Sequence, residues 1–462
     1  MTKIEQYFHW MQTKQVAFIG TGVSHNDLIA LFLRKGIRVT ICDRKTEEQM
    51  GETYTKFKEL GAEFDLGDGY LEHLTNYDVV FRTPGMYFNN PALTAARKQG
   101  VIITSEMETF FDLCPCRIYG VTGSDGKTTT TTLISEMLAK TGRRVYKGGN
   151  IGKALLPLIE TIREEDAAVV ELSSFQLISM RRSPDVAVIT NISPNHLDVH
   201  GTMEEYIGCK VNLIAHQNAY SKTVLNLDNA QTATLAEQVR GRLLWFTRQQ
   251  KPERGTFLDA EGWLCYAEAG KTQRIVRAED IRIPGLHNVE NYLAAIAAVW
   301  GEVPAETIVE VAKTFGGVEH RIEFVRELDG VKWYNDSIAT SPTRVLAGLR
   351  SFNQRLIVIA GGYDKKIPFE PMAETVNQRV KILILMGVTA PKIEKAVTED
   401  PSYDPAKLQI VHAASMEEAV QEAKKLAQPG DIVTLSPACA SFDLYPNFEA
   451  RGQHFKNLVK EL

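Results

Sequence analysis

Short apolar runs alternate with amphipathic stretches along most of the chain. The runs are rich in Val and Ile and rarely interrupted by polar residues. Strands buried on both faces read this way, whereas half-exposed strands alternate. The pattern predicts strands at 16–20, 39–43, 79–83, 101–104, 118–122, 168–172, 186–191 and 223–226. Further on it predicts strands at 331–334, 356–361, 382–386, 409–412 and 432–436. Apolar residues at helical spacing predict helices at 27–35, 128–140 and 415–426, between strands. Strand–helix alternation of this kind means parallel sheets and an α/β fold.

The strands fall into three groups. One ends near Ser105, a second opens at Tyr119, and a third begins after Gly316-Gly317. The expected domains are therefore 1–105, 106–317 and 318–462. A length of 462 residues agrees with about three domains.

Composition narrows the function classes. Hydrophobic residues make up 44% and charged residues 24%, the balance of a globular chain. A net charge of −5 supplies no field for nucleic acid or an anionic membrane, so a small anionic ligand needs local groups. No apolar run is long enough to span a bilayer, and the N-terminus lacks a signal-peptide h-region. The expectation is a cytoplasmic protein, acting as a monomer, with no nucleic-acid or membrane partner. The six cysteines are sparse and read as reduced thiols. Cys114-Pro115-Cys116 has the spacing of a redox or metal pair, but no second pair accompanies it.

The strongest local motif is Tyr119-Gly120-Val121-Thr122-Gly123-Ser124-Asp125-Gly126-Lys127-Thr128. A strand enters a glycine-rich turn, and Lys-Thr opens a helix. Glycines let backbone N–H groups converge on phosphate oxygens, and the helix N-terminus adds partial positive charge. In this geometry Lys127 reaches the outer phosphates and the Thr128 hydroxyl binds Mg²⁺. Val121 stands where the common G-x4-G-K-[ST] pattern has its first glycine.

Other residues have two readings each. Glu171 ends an apolar strand, as a surface charge or as a carboxylate for Mg²⁺. His196 follows the next strand, as a loop residue or as a second ligand. Thr202-Met203-Glu204-Glu205 reads as a capping box, and on the helix it starts Lys210 shares a face with Tyr206, Leu213 and Ile214. Such a lysine either snorkels to water or is neutralised, and a desolvated amine can react with CO₂ to form an anionic carbamate. Asn288 and Asn291 lie at i, i+3 at a helix start, as caps or as adenine contacts. Arg321 is either a solvated arginine or one that reaches transferring phosphate. Gly20-Thr21-Gly22-Val23-Ser24-His25-Asn26 is a partial dinucleotide fingerprint lacking its third glycine, which leaves NAD binding as a competitor.

The motif G-x-T-G-[ST]-[DN]-G-K-[ST], then ELSSFQL, NHLD and YxxxK in that order, resembles the Mur ligase superfamily. The resemblance implies ATP bound by Gly123, Ser124, Asp125, Gly126, Lys127, Thr128 and Thr129, with Asn288 and Asn291 at the adenine and Arg321 at the phosphates. It implies two Mg²⁺ ions held by Thr128, Glu171, His196 and a carbamylated Lys210. Lys127, His196, Lys210 and Arg321 are the implied catalytic set. In the N-terminal domain it implies a UDP-linked substrate at Ser24, His25, Asn26, Asp43 and Arg44, with Asn150 near its reacting end.

In the third domain, Asn335-Asp336-Ser337-Ile338-Ala339-Thr340 resembles the family's N-D-S-K-A-T, with Ile338 in place of the lysine. Ser436-Pro437-Ala438-Cys439-Ala440-Ser441-Phe442 and its continuation Asp443-Leu444-Tyr445-Pro446-Asn447-Phe448-Glu449-Ala450-Arg451-Gly452 resemble the D-glutamate-adding branch. This implies Lys365, Ser441, Phe442 and Phe448 around D-glutamate. The implied activity is ATP-dependent ligation of D-glutamate to UDP-N-acetylmuramoyl-L-alanine through an acyl phosphate, in peptidoglycan precursor synthesis. Another acceptor amino acid, or a nucleotide-sugar or NAD-binding switch without catalysis, are the alternatives.

Overall fold

In a computed structural model, the apolar runs pair into three sheets. The structure describes the backbone of residues 1–462 and every side chain except those of Leu197, Asp198 and Ala347. The first sheet comprises β1 (Gln15–Ile19), β2 (Arg38–Asp43), β3 (Glu63–Leu66), β4 (Val79–Phe81) and β5 (Ile102–Thr104), all parallel, in the order β3-β2-β1-β4-β5. Phe18 of β1 stacks on Phe81 of β4 at 4.6 Å, and Phe32 from the helix Asn26–Arg34 sets its edge against both. These three rings are buried, which fixes that helix over the centre of the sheet.

The second sheet contains β6 (Arg117–Thr122), β7 (Val145–Gly149), β8 (Ala167–Glu171), β9 (Val186–Ile189), β10 (Lys222–Asn226), β11 (Arg242–Thr247), β12 (Gly255–Leu258), β13 (Trp263–Glu268) and β14 (Lys271–Arg277). Its order is β14-β13-β12-β11-β10-β9-β6-β8-β7. β6 through β12 are parallel, and β12, β13 and β14 form an antiparallel extension. The chain leaves β6 toward one side of the sheet and returns to its other side at β9. β6 is therefore a switch point, with a crevice at the C-terminal ends of β6, β8 and β9.

The third sheet contains β15 (Glu323–Leu328), β16 (Val331–Asn335), β17 (Leu356–Gly361), β18 (Val380–Met386), β19 (Gln409–His412) and β20 (Ile432–Leu435). The order is β15-β16-β20-β17-β18-β19, with only β15 antiparallel. β20 inserts between β16 and β17, so the loops after these three adjacent strands share one edge. They are the Asn335–Thr340, Gly361–Lys366 and Ser436–Ser441 segments.

The chain forms two compact units, residues 1–278 with 290–311, and residues 279–289 with 312–462. The first and second sheets lie in one unit and the third in the other. Among the described residues, no helix is long and apolar enough to cross a membrane.

Each predicted strand and helix is present, with ends shifted by a residue or two. The predicted capping box at Thr202 is half made: its hydroxyl accepts from the Glu205 N–H at 3.2 Å. The periodic pattern gave no strand at β3, β7, β11–β15 and no helix at Lys3–Met11.

Candidate active site

β6 delivers the chain into the turn 123–126, and the helix Lys127–Ala139 carries it away. Gly123 has φ 149° and Gly126 φ 80°. A Cβ on Gly123 would lie 1.9 Å from Thr190 Oγ1, and one on Gly126 2.3 Å from Asn291 Oδ1. The turn thus needs glycine for both conformation and space. The end of β9 pins it. Thr190 Oγ1 donates to the Asp125 carbonyl at 2.6 Å, and Asp125 N–H donates to Asn191 Oδ1 at 2.9 Å. Ser124 Oγ donates to the Ser193 carbonyl and accepts from the Ser193 N–H, both at 2.9 Å. Lys127 Nζ closes over the turn, donating to the Gly123 and Ser124 carbonyls at 3.0 and 2.9 Å. Thr129 is buried in the first helical turn, and Thr130 Oγ1 donates to Asn291 Oδ1 at 3.3 Å. Asn288 donates through Nδ2 to the Pro284 carbonyl at 2.6 Å, a bond within the helix start.

Glu171, at the end of β8, is buried and held at both oxygens. Thr128 Oγ1 donates to Oε2 at 2.7 Å and Asn150 Nδ2 donates to Oε1 at 2.8 Å. The surface-charge reading is overturned: Glu171 is buried and bonded to Thr128, just after the turn 123–126. Asn150 is fixed in turn by its own N–H, which donates to the Glu171 carbonyl at 2.8 Å. Among the described residues, no group of three His, Cys, Asp or Glu forms a metal cage. One carboxylate beside one hydroxyl suits Mg²⁺, which retains water and phosphate oxygens in its shell.

Lys210 does not snorkel. Its side chain is 1% exposed, and Nζ donates to the Gly123 carbonyl at 2.8 Å and to Thr122 Oγ1 at 3.4 Å. The amine lies 4.7 Å from the Tyr206 ring centre, and the Tyr206 hydroxyl is 3.1 Å from Ser124 Oγ. Burial, and then the charge of Lys127, lower the Lys210 amine to about 7. His196 is exposed, with a left-handed φ of 54°, and its ring stands 5.3 Å from that of Phe175. The buried histidine of this region is His200, stacked on Phe175 at 5.0 Å and 2.9 Å from Ser174 Oγ.

A cavity of about 400 Å³ runs from the first sheet to the second, lined among others by Ser24, Arg82, Ser105, Glu106, Asn150 and Gln176. Two expected substrate residues, Ser24 and Asn150, meet on it. His25 does not line it: its ring is buried edge-on to Phe18 at 5.3 Å, and burial lowers the imidazole to about 4. The His25 and Asn26 N–H groups both donate to the Gly22 carbonyl, so His25 shapes the turn from inside. Asp43 Oδ1 accepts from the Lys45 N–H at 3.0 Å, and Arg44 is exposed beside it.

Sequence reasoning missed Arg82 and Glu106. Arg82 is fully buried and donates to the Phe175 carbonyl at 3.0 Å and Ser179 Oγ at 2.7 Å, tying the end of β4 to the segment after β8. Glu106 Oε1 accepts from the Leu155 and Leu156 N–H groups, both at 2.8 Å. Neither belongs to a short motif, so only three-dimensional neighbours reveal them.

In the other unit the three expected loops converge. Arg451, from the helix Phe448–Glu461, donates to the Ala440 carbonyl at 3.0 Å, the Cys439 carbonyl at 3.1 Å and the Ser337 carbonyl at 2.9 Å. Its burial lowers the guanidinium to about 10. Lys365 Nζ lies 3.4 Å from Thr340 Oγ1, and Arg344 donates to the Ile338 carbonyl at 3.3 Å. Two cations thus flank the segment that carries isoleucine where the resembled motif has lysine. Ser441 is buried, Phe442 is exposed, and the Phe448 ring meets that of His320 edge-on at 5.9 Å. Arg321 is exposed between His320 (φ 62°) and Ile322 (φ 43°), left-handed conformations that cost energy in non-glycine residues.

Three family models match in order along the chain: the Mur ligase MurD-like N-terminal domain over residues 14–105, the Mur ligase middle domain over 121–299, and the Mur ligase glutamate ligase domain over 320–439. The chain is 48% identical to the UDP-N-acetylmuramoylalanine–D-glutamate ligase of Acetivibrio thermocellus, covering 100% of this chain and 99% of that protein. It is 48% identical to the ligase of the same name from Clostridium acetobutylicum, over 99% of this chain and 98% of that one. Among solved structures, the fold matches the UDP-N-acetylmuramate-alanine ligase MurC of Thermotoga maritima with a TM-score of 0.57 at 16% identity, covering 97% of this chain and 99% of that one. With relatives almost half identical over their full length and family models in all three parts, the chain belongs to the Mur ligase family.

Proposed function

We propose that this chain is the ATP-dependent ligase that joins D-glutamate to UDP-N-acetylmuramoyl-L-alanine, in the cytoplasmic synthesis of peptidoglycan precursor. One observation carries the reading most. The Glu171 carboxylate is bonded at once to Thr128 of the phosphate turn and to Asn150 on the substrate cavity. ATP phosphate and a substrate carboxylate would therefore meet at one group.

In this reading residues 1–105 hold the UDP moiety, 106–317 hold ATP, and 318–462 hold the amino acid, in a monomer. The turn 123–126 and Lys127 hold the phosphates, with Asn288 and Asn291 at the adenine. Phosphoryl transfer to the L-alanyl carboxylate gives an acyl phosphate and ADP, and needs positioning and charge neutralisation more than covalent help. Thr128 and Glu171 would hold one Mg²⁺, and His196 with Lys210 as its carbamate a second. Bound there, Mg²⁺ supplies positive charge against the phosphates. Arg321 adds a further cation. The D-glutamate amine then attacks the acyl carbon and phosphate leaves. Lys365 and Arg344 supply cations for the two carboxylates of the amino acid, and Ser441 with the Phe442 N–H supplies hydrogen-bond donors beside Phe448.

A carbamate at Lys210 is supported by an amine that is buried, lowered to about 7 and therefore partly unprotonated at neutral pH. Mass spectrometry of the intact protein under CO₂, trapped by alkylation, checks for one added CO₂ at Lys210.

Phosphate release from ATP with UDP-N-acetylmuramoyl-L-alanine tests the whole reading. Release is expected only when D-glutamate is also present, and not with L-glutamate, L-alanine or a diamino acid. A different preferred amino acid would reassign the acceptor. No amino-acid-dependent turnover would leave a nucleotide-binding protein.

A further inference from the structure

Cys114-Pro115-Cys116 is the passage between the helix Glu106–Leu113 and β6. The other four cysteines, Cys42, Cys209, Cys265 and Cys439, are buried. Burial pushes their thiols up, to about 12 for Cys42 and about 11 for the other three. Thiols of that kind are inert.

Cys114 and Cys116 differ in geometry. Their Sγ atoms are 3.5 Å apart. Cys114 is half-buried and Cys116 buried, so of the two residues Cys114 is the more accessible to a small reagent. Cys114 has φ −59° and ψ 122°, the extended conformation that a following proline favours. In an extended chain residues i and i+2 point to the same side, so the tripeptide itself brings the sulfurs together. Closing from this separation to a bond of about 2.0 Å moves the sulfurs by about 1.5 Å. The hydrogen bond between the two thiols holds Cys114 below its ordinary value and pushes Cys116 up, which marks Cys114 as the attacking group.

We propose that Cys114 and Cys116 are a redox-active dithiol that closes to an intramolecular disulfide by exchange with a low-molecular-weight disulfide. The Cys114 thiolate attacks one sulfur of the small disulfide. That S–S bond breaks, one small thiolate leaves, and a mixed disulfide forms on Cys114. The Cys116 thiol passes its proton to the departing thiolate, attacks Cys114 Sγ and expels the second small thiolate, which takes up a proton from water to replace the one Cys114 lost. Two protein thiols are oxidised by two electrons, and one small disulfide is reduced to two thiols.

The helix that Cys114 ends connects this pair to the cavity. The Cys114 N–H donates to the Phe110 carbonyl at 2.8 Å and closes the helix. At the other end Ser105, Glu106 and Met107 line the cavity. Shortening the Cys114–Cys116 distance pulls on that helix, so oxidation raises the KM for the substrate held in the cavity. This kinetic consequence rests on the proposed UDP-substrate site. The disulfide itself does not.

The full-length protein is equilibrated in glutathione buffers of rising oxidised fraction, alkylated, digested with trypsin, and the peptide 99–117 is weighed. Wild type is expected to lose two hydrogens and resist alkylation in this peptide, reversibly with dithiothreitol. Cys116→Ser should stop at a glutathione adduct on Cys114, and Cys114→Ser should stay reduced. A wild-type peptide that remains reduced, or stops at the adduct, overturns the proposal. So does pairing with any other cysteine. In the kinetic arm the oxidised enzyme should show a KM for UDP-N-acetylmuramoyl-L-alanine raised at least about threefold, with the KM for ATP unchanged and Cys114→Ser insensitive. A disulfide without that change keeps the dithiol and overturns the coupling through the helix. No turnover with this substrate in either redox state would instead count against the proposed function.

Discussion

At the scale of single residues, charge and its burial decide what each group can do. Lys127 is half-buried, and its Nζ donates to two carbonyls of its own turn. Lys127→Ala is expected to keep the wild-type circular dichroism and to lose turnover by about 10²–10³-fold or more, because a fixed charge at the transferring phosphate is gone. Steady-state kinetics with saturating ATP check this, and activity within about tenfold of wild type contradicts the assignment. Glu106 behaves in the opposite sense. Burial raises its carboxyl to about 7, although two backbone N–H groups favour the ionised form. The folded state therefore binds the proton more tightly than the unfolded chain. Stability from this group is complete below the ordinary carboxylate range and is lost as pH rises toward 7. Gln keeps the Oε1 acceptor and never ionises. Melting curves of Glu106→Gln and wild type are expected to coincide near pH 4.5 and to separate in favour of the variant through about pH 7. A constant offset across that window would mean that Glu106 is ionised throughout.

At the scale of elements, the active-site edge depends on how closely β7 passes β8. Gly149 ends β7 with φ 94°, and a Cβ there would lie 2.1 Å from the Glu171 carbonyl oxygen, a backbone atom that cannot swing away. Gly142 has a similar φ of 85° with nothing within 4 Å. Both Gly→Ala changes carry the left-handed penalty of about 1–2 kcal/mol. Only Gly149→Ala adds a clash that displaces Glu171 from Asn150 and Thr128. Differential scanning calorimetry and kcat should therefore show Gly149→Ala clearly worse than Gly142→Ala, and equal effects would exclude the contact as a determinant. The strands that the sequence made legible are those buried on both faces, such as β8 (Ala-Ala-Val-Val-Glu) and β17. β3, β14 and β15 lie at sheet edges, with exposed or half-exposed charged residues (Glu-Phe-Asp-Leu in β3), and imitate loops. The helix Lys3–Met11 did carry a readable signal: Thr2 and Glu5 form a full capping box, the same pattern sought at Thr202. Several left-handed non-glycine residues fall in the candidate site loops: His196, His320, Ile322, Lys366 and Ala438. No sequence rule places such strain, because surrounding packing holds it.

At the scale of the whole molecule, the order of motifs along the chain revealed the family, and it named Lys127, Thr128 and Glu171, which the structure brings together around the turn 123–126. Arg82 and Glu106 escaped because each acts on carbonyls, hydroxyls or N–H groups distant in sequence. The same division sets how ligands should protect the chain. The cavity with Ser24, Ser105 and Asn150, and the turn 123–126, lie in the unit of residues 1–278 and 290–311. The loops after β16, β17 and β20 lie in the other unit. A ligand stabilises what it binds by about 2.7 kcal/mol at a hundredfold excess over Kd, and local openings near it slow accordingly. Hydrogen exchange with UDP-N-acetylmuramoyl-L-alanine alone should therefore slow in segments 20–26, 104–107 and 149–152, while segments 335–341, 361–366 and 436–448 exchange as in the free protein. D-glutamate added to a non-reacting complex with an ATP analogue should slow those last three segments. Protection of the β16, β17 and β20 loops by the UDP-linked substrate alone would reverse the assignment of substrates to units.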